Sequence, residues 1–409
     1  MRQDELFGHK LVSVIEAAAL LLTTTSASQA SNHLDTPTSI ANPQANIGDL
    51  YAWTSSNGRQ LNLSMDIVGR SFSDKLQYVF HIDSGTQLGK TTSTSSIVCR
   101  FHTANDIECR LGAADVARGD ASHPEGLEGQ NHRFRVFAGL RDDPFFNNIK
   151  GSNAGYQVAI AALKKGTAMD WANCPKFDTA TSAAILDQFR HTNGGPPMNF
   201  LGTWTTSAIV ISVDLEAVNK GGKLLAVWAA TATSDHQVDR AGRPMMKNSL
   251  LGLFQSDQAS DALKEKYNLM SPTQSVEFTP EIQKGLEIYD GFDGVCGNAA
   301  FTHSSDDSFI RYGVSAMLLA DDRLWVNSGS NVCTQLFGVE LSELGGRKDL
   351  SNDCGGRAPS YNAANVYRSL LVNGTVAGFD DGLSHDEHQT SDSQFPFLGP
   401  PQPGPAGNP

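Results

Sequence analysis

The sequence lacks the short motifs that identify the common hydrolases and nucleotide-binding enzymes. It has no Gly-x-Ser-x-Gly nucleophile motif, no His-Glu-x-x-His zinc motif and no glycine-rich phosphate loop. It also has neither EF-hand spacing nor a Cys-x-x-Cys pair, which argues against EF-hand calcium sites, zinc ribbons and thioredoxin-like redox sites. No stretch approaches the ~20 apolar residues of a membrane-spanning helix. The sequence therefore favours a protein that is not an enzyme and has no membrane span.

Basic residues are scarce relative to acidic ones, with 31 Lys and Arg against 44 Asp and Glu, giving a net charge of −13. Such a protein repels nucleic acid and anionic membranes, so neither is expected as a partner. A small molecule or a cation remains as a partner, and the sequence does not specify the oligomeric state. The 409 residues, 40% of them hydrophobic, suffice to bury a large core.

The N-terminus has the pattern of a secretory signal peptide. Residues 11–22 are mostly apolar, Arg2 and Lys10 precede them, and the small-residue sequence Ser28-Gln29-Ala30 follows. We expect residues 1–30 to be removed, which predicts a secreted or periplasmic protein. The alternative is a cytosolic amphipathic helix.

All six cysteines follow this segment, and in an exported protein an even number predicts disulfides. Cys99 and Cys109 flank a hairpin-like stretch, and Cys333 and Cys354 flank a polar loop. Elimination would then pair Cys174 with Cys296, although six cysteines leave other pairings open.

Short segments of alternating apolar and polar residues, separated by Gly, Asn and Ser turns, predict antiparallel strands. They cover residues 50–53, 61–68, 76–82, 96–101, 106–111, 133–138, 208–214 and 224–230. We therefore expect a mainly β fold, an antiparallel β-sandwich or barrel-like sheet.

Helical patterns lie between and after these strands, so we expect helical insertions and a helix-containing C-terminal part. They cover residues 179–189, 256–267, 279–289 and 363–371. We predict one large β-rich domain over residues 31–399, with a possible sub-boundary near 240–255. A Pro/Gly-rich tail at 400–409 should be disordered or extended.

The most informative segment is residues 132–146, where an alternating strand pattern runs into Arg141-Asp142-Asp143-Pro144. Adjacent acids at a strand end must meet water, a cation or a base. With Asp49 at another strand end, Asp142 and Asp143 predict an oxygen-rich site for calcium or another divalent cation.

The alternative for these three acids is a structural one. Arg141, Arg240 or Arg243 would pair with them and fix the loops together, without any bound cation.

A second candidate site is the predicted mature N-terminus, Ser31-Asn32-His33. A free amine, two backbone amides and the imidazole of His33 can bind copper in a square plane. The alternative is that His33 and Asp35 tie the N-terminal arm to the core by hydrogen bonds.

A third candidate is residues 380–388, where His385 and His388 have i,i+3 spacing with acids between them. On a helix the two histidines would face one metal. Because the surrounding residues are Gly, Ser and Gln, a solvated loop is favoured instead.

Several blocks resemble a bacterial family catalogued as domain of unknown function 4331. The blocks are SNHLDTP (31–37), NIGDLYAW (46–53), FAGLRDDPFF (137–146), DRAGRP (239–244), GGR (355–357) and FPFLGPP (395–401). The chain departs from the family pattern at Leu34, Asn46, Tyr361-Asn362 and Asn365, the last three in place of acids. The resemblance implies an exported protein and carries no established reaction.

Together these features predict an exported protein that binds a small ligand or a divalent cation. The alternative is a metal-dependent hydrolase or lyase that uses Asp142, Asp143 and a histidine such as His33. An enzyme of that kind should bring these residues to one concave site.

Overall fold

The computed structural model describes residues 36–302 and 308–402, without the side chains of 308–310. Its strands are β1 Ile47–Thr54, β2 Gln60–Ile67, β3 Gln77–Gly85, β4 Ser93–Thr103, β5 Asp106–Leu111, β6 Asp115–Gly119, β7 Leu127–Glu128, β8 Phe134–Asp142, β9 Thr205–Asp214, β10 Leu224–Ala232, β11 Gln237–Ala241 and β12 Leu324–Asn327. Its α-helices are α1 Pro37–Ala41, α2 Ile149–Lys164, α3 Thr179–Phe189, α4 Leu215–Val218, α5 Met246–Leu250, α6 Asp257–Asn268, α7 Thr279–Asp290, α8 Ser308–Ala320, α9 Gly338–Glu343 and α10 Ala363–Asn373. Two 3-10 helices cover Pro272–Phe278 and Lys348–Leu350.

The strands form two antiparallel sheets, as the sequence predicted. The five-stranded sheet has the order β1-β2-β9-β8-β7. The seven-stranded sheet runs β10-β3-β4-β5-β6, and β11 and β12 pair with different halves of β10. Neither sheet closes into a barrel, so the sandwich alternative is the one adopted.

The alternation in the sequence explains how the two sheets share a core. Leu63 and Met65 of β2 are fully buried in one cluster with Phe80 and Ile82 of β3, which belong to the other sheet. Residues that alternate with them along β2, such as Asn62 and Ser64, point to the opposite face, as the two-residue period of a strand requires. The prediction of a mainly β sandwich is confirmed.

A second hydrophobic core is built by helices. It joins residues of α2 and α3, which lie between β8 and β9, to residues of the later helices α5, α7 and α10. The core thus contains side chains from both sides of residues 240–255, and a sub-boundary there stays a prediction. The signal segment and residues 403–409 of the tail lie outside the described residues.

Three disulfides join Cys99 to Cys109, Cys174 to Cys296 and Cys333 to Cys354, which confirms the predicted pairing. Such bonds indicate an oxidising environment. Among the described residues, no helix has the length and apolar character needed to cross a membrane.

The last described part of the chain, residues 379–402, is called here the C-terminal segment. Its first residue, Phe379, packs in the helical core, whereas Phe397 and Leu398 pack on the face of the five-stranded sheet that points away from the sandwich core. The indole N–H of Trp53 in β1 donates to Asp392 O at 2.9 Å, and the rings of Trp53 and Phe397 lie 4.9 Å apart in an edge-on arrangement. The backbone N–H of Asp142 donates to Gly399 O at 3.1 Å. These contacts bring the segment to the end of β8.

Candidate metal centre

Asp142 is the last residue of β8 and is held on both sides. Its strand pairs with β9, where Thr205 lies opposite, and Gly399 accepts its backbone hydrogen bond. The side chain is only 1% exposed. Among the described residues, Oδ2 of this carboxyl group has no hydrogen-bond partner. A buried carboxylate oxygen without a donor costs free energy unless a proton or a cation meets it.

Two residues of the C-terminal segment face Asp142. Nδ1 of His388 lies 3.2 Å from Asp142 Oδ1 and 3.7 Å from Asp386 Oδ2. One ligand atom from each of these three residues lies within 4.8 Å of the other two. The described residues contain no other such group of three or more His, Cys, Asp or Glu side chains. The side chain of His388 is 25% exposed and that of Asp386 6%, so solvent reaches the group past the imidazole.

The two acids are positioned by neutral donors. Asn199 Nδ2 donates to Asp386 Oδ1 at 3.1 Å and to Glu387 Oε2 at 2.7 Å. Gln402 Nε2 donates to Asp142 Oδ1 at 3.2 Å, and the His388 backbone N–H donates to Asp386 Oδ2 at 3.2 Å. None of these donors is charged, so they orient the carboxylates without neutralising them.

The pKa values of both acids are raised, since these neutral donors do not cancel the carboxylate charges. The pKa of Asp142 is raised to about 8, first by burial and then by the negative charge of Asp386, while the Gln402 hydrogen bond lowers it. Burial also raises the pKa of Asp386, against the lowering effect of the His388 backbone hydrogen bond. Two carboxylates in mutual contact can share a proton, or both can ionise when a cation lies between them.

The chemistry of the group differs from the one expected from sequence. Two carboxylates and an imidazole are a mixed oxygen and nitrogen donor set, whereas calcium takes oxygen ligands. An imidazole ligand suits zinc and other first-row transition metals. Three protein ligands and a partly exposed histidine also leave coordination positions for water.

Asp49 and Asp143, which the sequence grouped with Asp142, lie in a separate buried cluster. Arg357 Nη1 pairs with Asp49 Oδ1, and its Nη2 donates to the Tyr51 hydroxyl at 3.3 Å. Asp143 Oδ1 accepts from that hydroxyl at 3.3 Å and from the Phe145 N–H at 3.1 Å. Burial raises the pKa of Asp143 well above its usual range, followed in effect by the charge of Asp49.

A further acid, Asp66, belongs to the same cluster and gave no signal in the sequence. It lies opposite Asp49 in the β1–β2 ladder, and its pKa is raised to about 8, first by burial and then by Asp49. Arg357 is engaged by Asp49, so the protonated form is favoured for Asp66 at neutral pH. The cluster is therefore a buried network and not part of the group at Asp142.

The arginines named in the sequence have other described contacts. Arg141 lies over the Phe137 ring at 4.1 Å, Arg240 lies over the Tyr267 ring at 3.7 Å, and Arg243 pairs with Glu340 at 2.8 Å. The basic partner of Asp49 is instead Arg357, in the Gly-Gly-Arg block.

The remaining candidate ligands from the sequence fall into two groups, those outside the described residues and those in residues 380–388. His33 and Asp35, with the Ser31-Asn32-His33 copper motif, lie outside the described residues. Residues 380–388 form a loop and no helix, with His385 exposed and only His388 facing Asp142. Asp386 is one of the acids between the two histidines of that candidate, whereas Asn199 gave no signal in the sequence.

Comparison of the chain with protein-family models, with curated proteins and with solved structures finds no match. The resemblance to domain of unknown function 4331 therefore stays a hypothesis, and function must be argued from the geometry of the site.

Proposed function

We propose that this is an exported protein that binds one divalent cation through Asp142, Asp386 and His388. The observation that carries the proposal is the buried Asp142 Oδ2, which has no hydrogen-bond partner among the described residues. It lies in a group whose other members, a carboxylate and an imidazole nitrogen, are common metal ligands. A bound cation would relieve the repulsion between the two acids.

The donor set favours a transition metal of the zinc or manganese class over calcium. Imidazole nitrogen is a better ligand for such metals than for calcium, which takes six to eight oxygens. Asn199 and Gln402 would act as outer partners that fix the orientation of the ligating carboxylates. Because β8 and β9 hold Asp142 rigidly, part of the site exists before the cation arrives.

The test is a titration of full-length purified protein after treatment with a chelator. Isothermal titration calorimetry with Zn²⁺, Mn²⁺ and Ca²⁺ should show one site, tighter for Zn²⁺ or Mn²⁺ than for Ca²⁺. His388→Ala should weaken that site at least about tenfold, a change of ~1.4 kcal/mol. The matched control is His385→Ala, because His385 is an exposed histidine of the same loop that does not face Asp142.

Three results would overturn the proposal. The first is a wild-type protein that binds none of these cations, which would leave a shared proton as the explanation of the paired acids. The second is equal loss of binding in His388→Ala and His385→Ala. The third is binding that is lost in His33→Ala but kept in His388→Ala, which would place the metal at the N-terminal motif.

Export is the second part of the proposal. It is supported by the predicted signal peptide and by three disulfides, which an oxidising compartment maintains. The resemblance to domain of unknown function 4331 agrees with export and adds no reaction. Intact mass of the secreted protein should correspond to a chain that begins at Ser31; retention of residues 1–30 in a cytosolic product would contradict it.

A further inference from the structure

A cavity of about 200 Å³ lies on the outer face of the five-stranded sheet, away from the acids at the end of β8. Its floor is a row of polar side chains across three neighbouring strands. Asn62 of β2 pairs in register with Ser212 of β9, which in turn pairs with Arg135 of β8. The hydroxyl of Ser212 donates to Asn62 Oδ1 at 2.9 Å. Asn62 and Ser212 thus contribute an amide and a hydroxyl group to the lining of the cavity.

The charged side chains that line the cavity are paired with one another. Arg135 Nε donates to Glu128 Oε1 at 2.6 Å, and Arg133 Nη1 lies 3.4 Å from Asp214 Oδ2. Each guanidinium thus has a carboxylate beside it, and the lining has no excess of either sign. An ionic ligand would have to displace one of these pairs, whereas a neutral ligand would not.

One wall of the cavity is aromatic. Phe395 and Phe397 of the C-terminal segment line it, with their ring centroids 5.6 Å apart in an edge-on arrangement. The guanidinium of Arg135 lies 5.6 Å from the Phe395 centroid, which holds that ring in place. The cavity thus combines an apolar wall with neutral hydrogen-bonding groups, as ligand sites do.

The backbone around the cavity is held in costly conformations. His132 and Phe397, both in its lining, have φ values of 55° and 66°, in the left-handed region that side chains other than glycine rarely adopt. Asp115 fixes the turn that carries His132, because its Oδ1 accepts from the Asn131 N–H and its Oδ2 from the Arg133 N–H, each at 2.8 Å. Strain of this kind collects at binding sites, where the surrounding structure maintains it.

We infer that this cavity binds a neutral saccharide, with its hydroxyls on Asn62 and Ser212 and an apolar sugar face against the partly exposed ring of Phe395. A sugar presents many hydroxyl groups and a patch of C–H groups, and carries no net charge. The cavity offers the complement of each of these properties. The site uses none of the proposed metal ligands, so this inference does not rest on the proposed cation binding.

The test is saturation-transfer NMR on the full chain with maltose, cellobiose and N,N′-diacetylchitobiose as neutral probes. Glucuronate and glucosamine serve as anionic and cationic comparisons. At least one neutral probe should receive saturation, and Ser212→Ala should weaken its binding at least about tenfold. The matched control is Ser95→Ala in β4, a half-buried strand serine of the other sheet that does not line the cavity.

Absence of binding by all three neutral probes would overturn the inference, as would binding of the charged sugars alone. Equal binding in wild type and in Ser212→Ala would also overturn it, because the sugar would then lie elsewhere. Phe395→Ala provides a second variant on the aromatic wall, should the serine substitution disturb the fold. A thermal melt of each variant separates loss of the site from loss of the structure.

Discussion

Replacement of Arg357 by methionine tests the buried acid cluster most directly. The side chains of Arg357 and Asp49 are each 1% exposed and form an ion pair in the interior. Methionine keeps much of the arginine volume but removes the positive charge, which leaves Asp49 buried with its main counter-charge gone. Breaking one partner of such a pair costs about 3–5 kcal/mol of unfolding free energy.

The other contacts of Arg357 add only a little to this loss. Its guanidinium also lies 4.1 Å from the Tyr51 ring centroid and 5.1 Å from that of Phe145. A cation over aromatic faces at a desolvated site contributes up to about 2 kcal/mol, part of which methionine replaces by dispersion. We therefore expect a loss of about 4 kcal/mol.

The assay is urea unfolding with the disulfides intact, read as the free energy extrapolated to water. The matched control is Arg347→Met, because Arg347 makes a bidentate pair with Asp349 at the surface, where the side chains are 45% and 61% exposed. Exposed pairs contribute little to stability, because water screens the two charges and ordering the side chains costs entropy. If the two variants lose equal free energy, the cluster around Asp49 is solvated and the reasoning about it is wrong.

Two further predictions concern stability. The pKa of His81, which stacks on Trp228, is lowered to about 4, mainly by burial, so the native state favours the neutral ring. As the pH falls from about 6.5 to 4, the unfolded chain binds this proton before the native state does, and about 3 kcal/mol of unfolding free energy should be lost. His81→Phe should lack this loss. If the difference in unfolding free energy between wild type and variant is constant with pH, the assignment is wrong. Replacing both cysteines of the Cys174–Cys296 disulfide by alanine opens a link across 122 residues and should cost about 5 kcal/mol of unfolding free energy. The same replacement at Cys99–Cys109, a link across 10 residues, should cost about 3 kcal/mol. Equal costs in chemical unfolding would show that unfolded-state entropy does not decide the effect.

The strands were predictable because apolar and polar residues alternate along each half-buried strand. The alternation in residues 61–68 predicted β2, observed as Gln60–Ile67, within one residue at each end. Caps were equally informative for helices: Asp178 accepts the Thr181 N–H at 2.7 Å, and the predicted helix begins at Thr179. These signals are local, so a single sequence contains them.

Helix α2 was missed because the first half of its sequence is poor in intrinsic helix formers. Its first half contains Gly151 and Gly155, which lower helix propensity. Packing requires both glycines, because a Cβ on Gly155 would meet the Phe189 ring at 2.5 Å and one on Gly151 would meet the His191 carbonyl oxygen at 2.6 Å. Tertiary contact with α3 therefore decides this helix, and no local pattern reports it.

Only part of the candidate site could be predicted from the sequence, because tertiary contacts bring its residues together. Asp142 was identified from a strand that ends in acids, but its partners Asp386 and His388 lie more than 240 residues later, in a loop without periodicity. Gly, Ser and Gln around them indicated a solvated loop, and the residues do form a loop. What places it against β8 is the packing of Phe397 on Trp53 and the hydrogen bond from Asp142 to Gly399, neither of which a residue pattern encodes.

Both proposed sites use residues of the C-terminal segment, so a ligand at one site can change the affinity of the other. The C-terminal segment supplies Asp386 and His388 to one site and Phe395 and Phe397 to the other. A cation that orders the segment lowers the conformational entropy that a sugar must remove when it binds, and the reverse holds equally. Linkage then requires that any factor by which Zn²⁺ changes the affinity for the sugar equals the factor by which the sugar changes the affinity for Zn²⁺. Titrating each ligand with and without the other measures both factors. Equal factors above one would show that the segment couples the sites, whereas factors of one would show that it does not.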